Sequence, residues 1–229
     1  MPLTSYVVEL NQWNKTQTTC GANGMQAKLV SNSPSLYKPL CGFILLVAGS
    51  LTSPFTMADA SCDTNLASRV GPRDYFDQKH HSTGRIDIVE KNHLTPEMLR
   101  LEKGNTSTIS ADLHYTLNVI PNHPAALDLA SRLDKAMRSF PERYQQEVMQ
   151  RSVSCYFKRA FLYTPSQPYL HYIFAIHLHR NQAYEQAAEA YARSQQFGFQ
   201  NAEFSYKYGL TLFELKRYTE AREMVNLAM

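Results

Sequence analysis

Residues 168–201 read PYLHYIFAIHLHRNQAYEQAAEAYARSQQFGFQN, and residues 202–229 read AEFSYKYGLTLFELKRYTEAREMVNLAM. The second stretch repeats the first at an offset of 34 residues. Small or apolar residues recur at that offset: Ala175 and Gly209, Ala187 and Ala221, Tyr191 and Val225, Ser194 and Ala228, with Tyr184 and Tyr218 identical. A fixed period of this length predicts a helix-turn-helix unit that stacks on copies of itself. We therefore predict an all-α fold with a binding function, because such stacks present extended surfaces to other molecules.

The rest of the region 109–229 alternates helical stretches with proline, glycine and polar breaks. Leu113, Leu117 and Ile120 have the spacings of 4 and 3 that place them on one helix face. Gly198 favours a helix C-terminus, where φ is often positive. The predicted helices cover residues 110–120, 126–137, 142–163, 169–179, 184–197, 202–215 and 219–227. The sequence stops inside the last of these, so we expect an uncapped final repeat, which indicates either a truncated chain or an end that docks on something.

Residues 61–108 have a different character. Residues 61–84 are polar, without a sustained apolar period, and predict an extended arm. Within it, residues 71–77 (GPRDYFD) are expected either to dock a partner or to strap across the helices. Two short helices are expected between Arg85 and Gly104, the second with Thr95 as N-cap and Pro96 at its first position.

Residues 1–60 are predicted to be an export signal. The apolar run 40–49 follows Lys28 and Lys38 and precedes Ala58-Asp59-Ala60, which has small residues at the places a signal peptidase requires. We expect cleavage after Ala60 and a periplasmic or secreted protein, with Met25 as the natural start. An uncleaved anchor over residues 39–58 is the alternative, although its glycine, serine, threonine and proline residues dilute the span. The pattern before Cys62 is weak for a lipoprotein.

Export would leave two cysteines, Cys62 and Cys155. An even count in an oxidising compartment favours a disulfide between them, and the alternative is two unpaired cysteines. Closing this long loop would stabilise the fold by about 4 kcal/mol in the chain-entropy model. A metal site is not predicted, because the sequence has no CxxC pair and no helical histidine pair at i, i+4 spacing.

The composition argues against several function classes. A net charge of +3 is too balanced for a nucleic-acid or anionic-membrane partner, so membrane contact is expected only through an uncleaved signal, if at all. The sequence contains no glycine-rich phosphate loop and no G-x-S-x-G motif. We therefore predict no catalytic activity and no cofactor.

The repeat resembles the tetratricopeptide family, in which small residues at the crossing of helices A and B let their backbones approach. The residues that match are Phe174, Ala175, Ala187, Tyr191 and Ser194 in one unit and Tyr208, Gly209, Ala221, Val225 and Ala228 in the next. The resemblance covers residues 109–229, with Leu127, Ala130 and Phe157 in a less regular earlier unit. Residues 71–77 and 86–117 also resemble the N-terminal part of exported tetratricopeptide proteins of Gram-negative bacteria.

The resemblance implies a short α-solenoid that binds partners in a concave groove lined by the A helices. Carried over by position, that groove would comprise Arg132, Lys135, Tyr169, Tyr172, His179, Arg180, Tyr206 and Phe213, with Asp128, Ile176 and Leu210 beside them. Tyr172 and Tyr206 stand where the family's clamp for acidic C-terminal tails needs lysine, so we do not expect that ligand. The implied function is an exported scaffold that binds a peptide or helix of another protein. The alternative is an envelope protein that binds a small molecule or glycan through its tyrosine-rich surface.

Overall fold

A computed structural model of the chain describes residues 62–229, and every regular element in that part is a helix. The helices are α1 (Gln78–Ser82), α2 (Asp87–His93), α3 (Pro96–Leu99), α4 (Ile109–Val119), α5 (Pro124–Ser139), α6 (Val153–Tyr163), α7 (Pro168–Arg180), α8 (Tyr184–Gln196), α9 (Ala202–Glu214) and α10 (Tyr218–Asn226). The all-α prediction is confirmed for residues 62–229. The predicted signal sequence, with its cleavage after Ala60, lies outside the described residues.

The last four helices form two pairs with equivalent turns. α7 packs chiefly on α8, and α9 on α10. Gln182 in the first turn and Lys216 in the second both adopt positive φ, 61° and 60°, although neither is glycine. These residues are 34 positions apart, so the period of the sequence extends to the backbone conformation. α8 packs on α9, and α5 contacts both α6 and α7, so neighbouring pairs meet in chain order.

The small residue at Gly209 is required by a close crossing of α9 and α10. A methyl group at this position would lie 3.1 Å from Cγ2 of Val225 and 3.2 Å from the carbonyl oxygen of Ala221. At the equivalent places in the preceding pair, Ala175 and Ala187 are completely buried. Aromatic residues fill the space between the two pairs, where the rings of Tyr191 and Tyr208 stack with centroids 5.1 Å apart.

The prediction of a helix over residues 142–163 is wrong for its first half, because α6 begins only at Val153. The Oγ of Ser152 accepts a hydrogen bond from the amide of Cys155 and caps the helix there. The preceding segment is irregular because it caps a different helix. The carboxylate of Glu147 accepts from the amides of Ile109 and Ser110, at 3.0 and 2.7 Å, at the start of α4.

Residues 62–77, which we call the strap, are extended and lie against the chain's own helices. The amide of Arg73 donates to the carbonyl of Val119, at 2.8 Å. The side chain of Asn122 accepts from the amide of Tyr75 at 3.0 Å and donates to Asp74 at 2.7 Å. Residues 71–77 are thus a strap in this structure. The polar arm continues into α1, which the sequence did not predict.

Between Arg85 and Gly104, where the sequence predicted two short helices, the structure has α2 and α3. Thr95 precedes Pro96 in an extended conformation, but its side chain does not cap α3. Asp112, buried on α4, organises the loop between α3 and α4 by accepting from the amides of Asn105 and Thr106 and by pairing with His93. No helix between residues 62 and 229 is both long and apolar enough to cross a bilayer.

Candidate partner-binding surface

Helix α9 carries large apolar residues on two opposite faces. Phe204, Tyr208 and Leu212 are buried against the neighbouring helices. On the other face, Tyr206, Leu210 and Phe213 are 53%, 40% and 59% exposed and follow one another at spacings of 4 and 3. We call these three residues the α9 stripe. An exposed apolar stripe on a well-packed helix has the character of a surface that a partner covers.

An ion pair and a further aromatic ring flank the α9 stripe. Glu203 and Lys207 form an i, i+4 ion pair of 3.5 Å on the same helix. The ring of Phe213 contacts that of Tyr218 on α10, with centroids 5.4 Å apart, and Tyr218 is itself 56% exposed. An apolar centre with a polar rim is the usual anatomy of a protein–protein interface.

His179, a predicted groove residue, connects α7 to α9. Its Nδ1 lies 2.9 Å from Oγ1 of Thr211, on the helix that carries the stripe. Burial lowers the pKa of His179, so the ring is neutral at neutral pH. This contact fixes the orientation of α9 relative to α7.

Arg132 and Arg180, also predicted as partner contacts, are engaged within the molecule. Both pair with Asp128: Nε of Arg132 lies 2.7 Å from one carboxylate oxygen and Nη2 of Arg180 lies 2.8 Å from the other. Burial alone would raise the pKa of Asp128, but the charges of Arg180 and Arg132 lower it overall. Arg180 also donates to Ser131. Arg180 therefore joins α7 to α5, whereas Arg132 pairs with Asp128 within α5.

Tyr169 and Tyr172 are not on an open surface, which corrects the prediction that they line a groove. They are 3% and 2% exposed. Phe199, which follows the left-handed Gly198 (φ 93°), packs against both rings, with centroids 5.1 and 5.0 Å away. The chain thus fills the space that these tyrosines were expected to leave for a partner.

The first part of the expected groove, on α5, is partly covered by the chain itself. Nη1 of Arg132 donates to the carbonyl of Leu99 at 2.7 Å, which places the end of α3 against α5. The hydroxyl of Tyr144 donates to the carbonyl of Leu101 at 3.3 Å and adds a second contact to the same segment. Lys135 remains exposed there. Of the predicted groove residues, Tyr206 and Phe213, with Leu210 beside them, belong to an exposed apolar surface, the α9 stripe.

A second polar cluster, which the sequence did not reveal, lies beneath the start of the strap. The structure joins Cys62 to Cys155 in a disulfide, with 5.4 Å between their Cα atoms, as predicted. Arg159 of α6 is only 2% exposed and donates to the carbonyl oxygens of Asp63 and Asn65. Nη2 of Arg151 pairs with the Asp63 carboxylate at 3.1 Å.

Residues 62–229 contain no group of three or more histidine, cysteine, aspartate or glutamate side chains that could hold a metal ion. Several of these groups have structural contacts instead. Nδ1 of His177 lies 2.8 Å from Oγ of Ser131, and burial lowers the pKa of His177 to about 4.

No protein-family model matches this chain, and no curated protein is significantly similar to it. The resemblance to tetratricopeptide repeats is therefore neither supported nor contradicted by known relatives.

Proposed function

We propose that this protein is an interaction module that binds another protein through the α9 stripe, on a tetratricopeptide-like stack of helix pairs. The stack is supported by the 34-residue period, by the matching left-handed residues Gln182 and Lys216, and by pairs that meet in chain order. The observation that carries the binding role is the exposure of Tyr206, Leu210 and Phe213 along one face of a well-packed helix.

The α9 stripe is large enough to anchor a complex. Complete burial of a Leu or Phe side chain stabilises by about 1.5–3 kcal/mol, so three roughly half-exposed residues would contribute about 3 kcal/mol. Contributions of this kind are concentrated in a few residues of an interface, and aromatic residues are frequent among them.

The partner that suits this surface best is a short amphipathic helix. From Tyr206 to Phe213 the stripe spans about 10 Å, because a helix rises about 1.5 Å per residue. Apolar residues at positions i, i+4 and i+7 of a partner helix cover the same distance, and this spacing is the common pattern of helices that dock on apolar grooves. Glu203 and Lys207 at the rim would fix its register through polar contacts.

We place this activity in an oxidising compartment, the periplasm or the cell exterior, where the protein would act as a scaffold or assembly factor. The signal-like residues 1–60 and the Cys62–Cys155 disulfide support that location. Binding of a glycan or small molecule has less support, because Tyr169 and Tyr172 are buried.

A photo-crosslinking amino acid at position 210 tests the proposal. The full chain would be expressed in its native host and irradiated, and crosslinked proteins identified by mass spectrometry. Position 162 on α6 is the matched control, since Leu162 is 57% exposed but lies outside the stripe. We expect one protein to be crosslinked from position 210 and not from 162. Equal crosslinking from both positions, or none from 210, would contradict the proposal.

A further inference from the structure

The first residues of the strap contact α6 in the way that a peptide contacts a receptor. Nη1 of Arg159 donates to two main-chain carbonyl oxygens, of Asp63 at 2.9 Å and of Asn65. The carboxylate of Asp63 also accepts a hydrogen bond from Nη2 of Arg151. One guanidinium thus binds main-chain carbonyl oxygens, and the other binds an acidic side chain. This pattern recognises an extended peptide segment that carries an acidic residue.

The receptor side of this contact carries more positive charge than the strap neutralises. Among the described residues of this cluster, the carboxylate of Asp63 pairs with Arg151, and Arg159 forms no ion pair. Arg159 is almost completely buried, and its Nε has no acceptor among the described residues. A buried cation whose partners are neutral oxygens is costly, so the cluster would bind a more acidic segment better than it binds the strap.

Other polar groups on α4 hold the two arginines in place. Oδ1 of Asn118 accepts from Arg151 at 2.9 Å and from Arg159 at 3.3 Å. Nδ1 of His114 lies 2.9 Å from the hydroxyl of Tyr156. Burial lowers the pKa of His114, with a further contribution from Arg151, so this ring adds no charge at neutral pH. The site is therefore preorganised by α4, by α6 and by Arg151, two residues before α6.

Residues 62–70, the first part of the strap, include no buried residue. Asp63, Thr64, Asn65, Ala67, Arg69 and Val70 are all exposed. Segments with few buried apolar contacts open at low free-energy cost. The covalent link from Cys62 to Cys155, which is 1% exposed beneath the strap, is thus the main restraint on this end of the chain.

We propose that Arg151, Arg159 and Asn118 form a second binding site, for an extended polypeptide segment that carries a carboxylate, and that residues 62–65 occupy this site while Cys62 is bonded to Cys155. A dithiol reductant exchanges with the Cys62–Cys155 disulfide, which leaves two cysteine thiols and the reductant's own disulfide and releases residues 62–70. An acidic segment of another chain then takes their place. The site lies on α4 and α6, away from the α9 stripe, so it can be tested independently of the proposed function.

The test uses the full chain with Cys20→Ser, Cys41→Ser and Cys62→Ser, which leave Cys155 as its sole thiol, and with Asp63→Lys, which weakens the strap by charge repulsion. The probe is a peptide of residues 61–67 whose cysteine is joined to thionitrobenzoate. The Cys155 thiolate attacks the sulfur of the peptide cysteine, a new disulfide forms, and thionitrobenzoate leaves as a coloured thiolate. The rate of its release reports how well the peptide is positioned.

We expect the native peptide to react at least tenfold faster than a peptide with the Asp63→Lys change. Arg151→Met or Arg159→Met in the protein should remove this preference, as should unfolding in urea. Equal rates for the two peptides on folded protein would overturn the proposal.

Hydrogen exchange of the wild-type chain gives a second, independent readout. Amides of residues 62–70 should exchange at least tenfold faster after reduction, while those of α7 and α8 remain protected. Equal exchange rates for residues 62–70 in the oxidised and the reduced protein would also overturn the proposal.

Discussion

The Asp128→Asn substitution should destabilise the protein, because it removes one partner of a largely buried ion pair. It keeps the size of the side chain but removes the charge that Arg132 and Arg180 share. The side chains of Asp128 and Arg180 are only 14% and 18% exposed. Removing one partner of a buried ion pair costs about 3–5 kcal/mol, and the remaining contact with water reduces this, so we expect a loss of about 2–3 kcal/mol.

Asp134→Asn provides the matched control on the same helix. Asp134 pairs with Arg138 at the same i, i+4 spacing, but the two side chains are 36% and 59% exposed. An exposed pair of this kind contributes at most about 0.5 kcal/mol. Urea denaturation at pH 7 would measure both variants. If Asp128→Asn costs no more than Asp134→Asn, the reasoning that this network joins α5 to α7 is refuted.

Three further changes test other parts of the structure. Cys62→Ser should lower the free energy of unfolding by about 4 kcal/mol in urea, and reducing agent should do the same to the wild type but not to the variant. Gly209→Val should cost about 1–3 kcal/mol by calorimetry, because its methyl groups meet α10; a neutral result would contradict the close crossing. The pKa of His177 is lowered from 6.5 to about 4 by burial, so its contribution is complete above pH 6.5 and is lost as the pH falls towards 4. His177→Gln should remove up to about 3 kcal/mol of that pH dependence, measured as urea midpoints from pH 7 to 4, and an unchanged pH profile would argue against a buried neutral ring.

The C-terminal helices were predictable from the sequence because their signals are local. The stretch predicted over 169–179 corresponds to Pro168–Arg180, and the one over 202–215 to Ala202–Glu214. Gly198 has the positive φ expected at the end of a helix. A period of 34 residues carries this information because each unit repeats the same turn and the same small residues at the crossing.

Contacts between distant residues account for what the sequence did not predict. Nothing near Glu147 indicates that its carboxylate caps a helix 38 residues earlier, so the segment before α6 looked helical. Tyr169 and Tyr172 are buried by rings that come from later in the chain, among them Phe199 and Phe204. Within the candidate site, the positions of Tyr206 and Phe213 in the repeat were enough to predict that they line a surface. The pairing of Arg132 and Arg180 with Asp128 could not be predicted in this way.

Affinity for the crosslinked partner, compared between Phe213→Ser and Phe140→Ser, tests the proposed binding surface most directly. The two phenylalanines are 59% and 62% exposed, so the substitutions remove similar amounts of accessible apolar surface. Titration calorimetry should show at least a tenfold weaker complex for Phe213→Ser, equivalent to about 1.4 kcal/mol, and a change below about twofold for Phe140→Ser. Equal affinities of the two variants would contradict a binding role for the α9 stripe.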